Sequence, residues 1–496
     1  MMHAAHSLTS RNLNRRIRHK RNDSDPSRDG RHDGRLTARP AAGAPLLATS
    51  TPHAPTMRDL TDVLWYAALA LMPVDGTVFG VQMPYWSPIA PVLFLLYAVC
   101  NARRLPLMFQ RHPAVLPLVG AMLLVSVFGW LTIGVNGVYL TRTVLALLFA
   151  VATLASLGIA LDAKRLSPRA MVTALAAAYG VAFLFGVFTW VCQPGHLNIS
   201  RWRDPLMQLY LRQYFVSRPQ FLFAEPSYIG MHLYGVLLPV YWLTRDRRLP
   251  VLIGVFAAGS LVMGAGVRIV IDTAAAAVLW FVAAFPWGRL LHDRRLMAVT
   301  AGFACVGVGG GVAAFVTQPR LQSLLSSGLF AGDASMSARM FRSLAPLEAG
   351  ANDVWHLLFG FGAGNLGEAM RRGYAGTLAW YQGHGGTMTD ELRELADPLG
   401  PTTNRAGNAF TMNAYSSFVT EFGLVLFVAA VALLVWHVTR HHAWSWLTVC
   451  WLLLLVYLYA QFEAYAFLAL PLFVWATADD GVAAGESDRG DTAATP

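Results

Sequence analysis

RPQFLFAEPSYIG, residues 218–230, sets a cation (Arg218) and an anion (Glu225) seven residues apart at the edge of the apolar run 228–244. Charges are most expensive where water is about to be excluded. The composition of the chain identifies the solvent. Hydrophobic residues make up 55% of the sequence and charged residues only 13%, about half the usual ~25% charged share of a soluble domain. Of the 38 basic and 28 acidic residues, 14 lie in the first 56 positions and 6 in the last 18, so the middle is poorer still. With a mean hydropathy of +0.45, the chain reads as a polytopic membrane protein.

The net charge of +10 does not point to nucleic acid, because ten basic residues, Arg11 to Arg39, fall in a leader containing Pro, Gly, Asp and Ser. Residues 1–56 are expected to be a disordered, basic cytoplasmic leader. They are no secretory signal, since no apolar segment follows the basic cluster before Met57. The alternative expectation is that translation begins at Met57 and the leader is a mis-called start. Residues 479–496 are expected to be a disordered cytoplasmic tail. Only Lys20 and Lys164 accompany 36 arginines, a bias expected of a GC-rich bacterial genome. Cys100, Cys192, Cys305 and Cys450 form no metal or disulfide spacing and read as packing residues.

Apolar windows suited to about 30 Å of hydrocarbon fall at roughly 60–75, 85–101, 113–133, 139–161, 170–191, 228–244, 250–265, 269–287, 296–316, 414–438, 443–460 and 462–478. With the leader inside, the inner loops are NARRLPLMFQRH, DAKRLSPR, RDRRL, WGRLLHDRR and TRHH, which hold 13 Lys or Arg residues. The outer connections after spans one, three and eleven hold almost none apart from Arg142. This asymmetry follows the positive-inside rule and predicts an all-α integral membrane protein of about twelve transmembrane helices, both termini cytoplasmic. The membrane domain is expected over 57–316 (spans one to nine, with a periplasmic loop at 192–227) and 414–478 (spans ten to twelve). A large, mostly helical periplasmic loop, 317–413, lies between spans nine and ten. The 192–227 loop carries Arg201, Arg203, Arg212 and Arg218 where arginine is normally avoided. A loop as long as 317–413 is functional or disordered, and its aromatic, helix-like stretches predict a folded lobe.

Within the opening stretch, Pro226 suits the first turn of a helix and places Glu225 near the N-cap, where a carboxylate is favoured. A cap with an interfacial anchor is the plain account. FxEPS at the start of a transmembrane helix also resembles the bacterial O-antigen polymerase and ligase (Wzy-like) family of envelope glycosyltransferases. GAGVRIVID (264–272) is similar to that family's small-residue-plus-Arg signature, with Arg268 at the Arg position. SMSARMFRSLAPLEAG (335–350), followed by LFGFGAGN (358–365), resembles its Ser/Arg helix and Gly-rich turn. MNAYSSFVTEFGLVLF (412–427) resembles the segment that opens the helix after the large loop.

The resemblance implies a donor sugar chain on a polyprenyl diphosphate, a membrane lipid, in the outer leaflet of a bacterial inner membrane. Diphosphate suits guanidinium forks, which bind oxygens in pairs and stay charged when desolvated. Arg218, Arg268 and Arg339 would hold it; Asp272, four residues after Arg268, offers the alternative of an intrahelical ion pair. Met412 stands where ligase members of the family carry a histidine base. That departure leaves Glu225 as the first candidate to activate the acceptor hydroxyl, with His232 and His384 as substitutes. Asn413 and Tyr415 would line the sugar path, while Glu421 suits a buried partner of an arginine.

GFGAGNLG contains a literal GxGxxG at Gly362, Gly364 and Gly367, but no βαβ context surrounds it. Close packing of these glycines over the diphosphate region is the expected reason for them. HVTRHHAW (437–444) reads as a basic anchor and not a metal site, and GGG in 309–311 and the Ala run 274–277 as helix contacts. No nucleotide-sugar motif or acidic metal cluster is present, so the chemistry is expected to need neither metal nor cofactor. The expected function is polymerisation of lipid-linked oligosaccharide repeats, with a chain-length regulator and a flippase of the same pathway as implied partners. Ligation of finished polymer to lipid A core and transport of lipid-linked sugar are the competing expectations.

Overall fold

Where lipid replaces water, every backbone N–H and C=O must be satisfied inside its own segment. In the computed structural model, helix is the regular secondary structure throughout the described residues, which contain no strand beyond an isolated Thr77–Leu211 bridge. Those residues run from 55 to 478, except 81–82, 84–85, 194–195, 212–217, 285–293, 296, 299, 303–315, 317–321, 324–325, 327–333, 400–408 and 465–466. The leader before residue 55, the tail after 478, Arg212, Cys305, the GGG stretch and most of the 296–316 window lie outside them.

The early helices are α1 (Asp62–Ala70), α2 (Ile89–Cys100), α3 (Leu105–Arg111), α4 (Val115–Ile133), α5 (Gly137–Leu157) and α6 (Pro168–Val191). Among the described residues, four helices are long and apolar enough to cross a membrane: α4, α5 with the π turn that extends it to Ala163, α6, and a later helix, Ala414–Arg440. A fifth candidate is the pair Ile89–Cys100 and Ala102–Arg111, bent by 77°. Caps fix several starts. Asn136 accepts from Tyr139 N–H, and Ser167, followed by Pro168, accepts from Ala170 N–H. Leu116, Leu124, Val127 and Leu131 of α4 are exposed; an apolar face of this kind belongs against lipid.

Other windows form shorter helices. The nine residues of α1 rise only about 14 Å, well short of a bilayer core. The helix stops at Ala70, ahead of Pro73 in the stretch MPVDG. After the amphipathic α7 (Ser200–Tyr210), the 228–244 window is a composite: α8 (Ile229–His232), a π turn (Leu233–Leu237) and α9 (Leu238–Thr244). Pro239, which has no N–H to donate, follows the π turn. Every residue from Tyr228 to Val240 is buried, so the segment opened by EPS runs through the core. Helices α10 (Arg248–Val262) and α11 (Val267–Ala284) follow.

The lobe is folded over its described part. Helix α12 (Ala334–Ala351) lies against α14 (Leu366–Gly383), close enough that a Cβ on Gly373 would overlap the Ala345 carbonyl. With α15 (Asp390–Glu394), these helices frame a small core around Phe341, Met370, Tyr381 and Leu392, and the short α13 (Val354–Phe359) lies between α12 and α14 in sequence. The chain then enters α16 (Ala414–Arg440), capped by Asn413 and broken at Gly423 (φ 84°, ψ 160°), and α17 (Trp446–Tyr459). The 462–478 window yields only the eight-residue α18 (Ala469–Ala476). Its first part is instead a connection carrying Glu463, whose carboxylate accepts from the Thr411 and Met412 amides at 2.9 and 3.0 Å.

Candidate functional site

Three of the candidate charges converge where the lobe meets the start of α8. The Glu225 backbone occupies the N-cap of the 3-10 turn Pro226–Tyr228, but its side chain makes no cap bond. It reaches the lobe instead: Arg339 Nη2 of α12 donates to Glu225 Oε1 at 2.5 Å and to Ser227 Oγ at 3.1 Å. The simple capping account of Glu225 is therefore replaced by an ion pair between distant parts of the chain.

Arg268 lies at the start of α11, within electrostatic reach of both Glu225 and Arg339. Its Nη2 donates to the Gln461 carbonyl at 3.1 Å. The intrahelical pair with Asp272 exists but is loose, at 3.6 Å from Nε to Oδ2. Asp272 spends its other oxygen on the Tyr457 hydroxyl at 2.6 Å. Arg268 Nε and Nη1 and Asp272 Oδ2 are buried without a hydrogen-bond partner. The Asp272 carboxylate offsets part of the charge, but neither donor has, among the described residues, the hydrogen bond that would replace hydration. The helices approach closely here, since a Cβ on Gly230 would overlap the Asp272 carboxylate. Arg218 completes the group: its Nη1 lies 3.9 Å from where a Cβ on Gly266 would stand, two residues before Arg268.

Other candidates take different roles. Asn413 Oδ1 caps α16 through the Tyr415 and Ser416 amides, and the Tyr415 hydroxyl donates to the Val456 carbonyl at 2.9 Å. His384 is exposed at the end of α14, its Nδ1 2.8 Å from the Trp380 carbonyl. His232 is buried, with Nδ1 2.8 Å from the Tyr179 hydroxyl and Nε2 3.2 Å from Asp75 Oδ2. Glu421 is not an arginine's partner: it accepts from Gly364 N–H at 2.8 Å and Thr143 Oγ1 at 2.9 Å.

The Gly-rich turn corrects a further expectation. Gly360, Gly362 and Gly364 all have φ between 81° and 87°, the region that favours glycine. A Cβ would meet the Glu421 carbonyl at Gly360, the Ser126 carbonyl at Gly362 and the Leu140 amide at Gly364. The turn thus wedges between α4, the start of α5 and the break in α16, not over the arginines. At the far end of α5, His437 lies beside His112 and His441, with ring centroids 5.5 and 4.8 Å away. No metal-holding group of His, Cys, Asp or Glu occurs among the described residues.

Three further acidic residues were missed from sequence. Asp75 anchors the loop before Glu225, Glu463 gathers the 411–417 turn, and Asp353 receives His356 Nδ1 at 2.5 Å. Asp75 lies inside an apolar window, and a charge in such a place is a usable signal. Searches with the chain find no matching family model, no matching curated protein and no matching solved structure.

Proposed function

We propose that the protein is a membrane glycosyltransferase that joins polyprenyl-diphosphate-linked oligosaccharide repeats into an exopolysaccharide, capsule or O-antigen. About twelve membrane segments would carry the lobe on the periplasmic face of a bacterial inner membrane, with both termini cytoplasmic. The observation that carries the proposal is Arg268, whose buried Nε and Nη1 have no hydrogen-bond partner beside the Glu225–Arg339 pair. An anion with several oxygens would satisfy those donors, and a diphosphate matches guanidinium forks from Arg268, Arg339 and Arg218.

In this mechanism the donor diphosphate engages Arg339 and releases Glu225. Glu225 takes the proton of an acceptor sugar hydroxyl, and the hydroxyl oxygen attacks C1 of the donor sugar. The C1–O bond to phosphate breaks, and the electron pair leaves with the polyprenyl diphosphate, whose charge the arginines hold. Asn413 and Tyr415, fixed at the mouth of α16, and His384 on the lobe would border the sugar path. The chemistry proposed needs no metal or cofactor.

A second reading, transport of lipid-linked sugar, is favoured by the break of α16 at Gly423 beside buried Glu421, since transporters bind substrates at interrupted helices. The lengths of sugar chains left on the carrier in cells lacking this protein separate the readings. Single repeats on the outer leaflet support polymerisation. Long polymer stranded on the carrier would make the protein a ligase, and single repeats trapped on the inner leaflet a transporter.

A further inference from the structure

Beneath Glu225 lies a polar chain that the proposed chemistry does not use. Asp75 is nearly inaccessible, and both its carboxylate oxygens are engaged. Oδ1 accepts from the Ala224 amide at 2.8 Å, one residue before Glu225, and Oδ2 meets His232 Nε2 at 3.2 Å. His232 Nδ1 is 2.8 Å from the Tyr179 hydroxyl, and the imidazole stacks on Phe223 at 4.3 Å. With Tyr179 donating to Nδ1, the imidazole carries its proton on Nε2, and that N–H donates a hydrogen bond to Asp75 Oδ2. Every polar atom in the chain then has a partner.

A buried carboxylate is a poor choice for simply closing an apolar core, because apolar residues of similar volume pack there without loss of hydration. Here it fixes the peptide that aims the Glu225 side chain. We propose that Asp75, His232 and Tyr179 are positioning residues that set the orientation of Glu225. The inference rests on the function proposed above, in which Glu225 activates the acceptor.

The test is a double-mutant cycle on the full-length protein in lipid nanodiscs. The probe is the polyprenyl-diphosphate-linked repeat extracted from cells lacking this protein, and turnover is counted per folded molecule. Asp75→Asn keeps an acceptor for the Ala224 amide but loses the negative charge that holds His232. It is expected to lower kcat by about 10–100-fold with donor KM unchanged, as small misplacements of a reacting group do. In the Glu225→Gln background the same substitution is expected to change the residual rate less than twofold, because residues acting as one unit are not additive.

A wild-type kcat in Asp75→Asn, or an equal loss in both backgrounds, overturns the positioning role while leaving Glu225 in place. Full activity in Glu225→Gln alone overturns the function and the inference together. Should Asp75→Asn fail to accumulate, Tyr179→Phe, which removes only the hydroxyl, carries the same cycle with an expected loss of roughly tenfold.

Discussion

Lys164 at one end of this helical bundle is fully buried and Arg268 at the other is mostly so, and the two are bonded in opposite ways. Helix α5 starts under the Gly-rich turn of the lobe and leads to Lys164 at the other end. There the three ammonium protons of Lys164 meet three acceptors: Asp59 at 2.8 Å, Thr61 at 2.9 Å and Asp62 at 2.6 Å. Nearby, Arg111 donates to Asp162 at 2.5 Å and twice to the Ala478 carbonyl. At the lobe end, Arg268 makes one hydrogen bond among the described residues, and its Nε, 3.6 Å from Asp272 Oδ2, and Nη1 have no hydrogen-bond partner there. A closed cluster ties segments together, whereas an open one retains donors for a ligand. Under the proposed function the comparison would separate charge that holds the fold from charge that meets a ligand, although both kinds lie beside apolar helices.

The largest expected effect tests the lobe end. Glu225→Gln should reduce polymerisation about 10²–10⁴-fold, the range for loss of a general base, with only a small drop in melting temperature from the lost Arg339 ion pair. Lys164→Met tests the other end and strands Asp62, which is fully buried. It should cost about 3–5 kcal/mol of stability, typical of a broken buried pair, with the rate per folded molecule unchanged. If Lys164→Met abolished catalysis in folded protein, the division between the two ends would collapse.

Arg268→Lys keeps the charge and loses the planar fork. Donor binding should weaken roughly 10–100-fold where bidentate contacts matter; full activity would favour a purely structural Arg268–Asp272 pair. Asn413→Ala should cost about 1 kcal/mol of thermal stability through the lost α16 cap, and Asn413→Ser should restore most of it. A rate loss that Ser does not repair would give Asn413 a direct part in the sugar path.

The closed end should also be acid-sensitive. The Lys164 hydrogen bond is the largest influence drawing Asp59 from 3.8 to about 2. Because the folded value lies below the unfolded one, its contribution is complete above about pH 4 and is lost as pH falls through about 2. Melting temperature measured against pH should show that loss, and Lys164→Met should flatten it.

Helical, membrane-compatible architecture is legible from the apolar windows, and the aromatic, helix-like stretches after 334 do form helices with a small core of their own. The residues FxEPS, GAGVR and SMSAR singled out Glu225, Arg268 and Arg339, which come from three separate segments and meet. Local pattern did not reveal the partners. Glu225 near an N-cap looks the same in sequence whether it caps its own turn or pairs with Arg339, since the choice depends on where α12 docks. Hydropathy windows also merge helix with apolar loop. The stretch beginning FEAYAFL reads as part of a span, yet its glutamate binds the 411–412 amides and the helix begins only at Ala469. The pattern GFGAGN predicts close packing, but the partners of its glycines lie on α4, α5 and α16, far from them in sequence.

The most direct test of the central claim is a binding titration of the full-length protein in nanodiscs with undecaprenyl diphosphate and undecaprenyl monophosphate, repeated on Arg268→Lys. The account predicts that the diphosphate binds at least tenfold more tightly than the monophosphate and that Arg268→Lys removes most of this preference. Equal affinity for the two lipids, or a preference that survives Arg268→Lys, would contradict it.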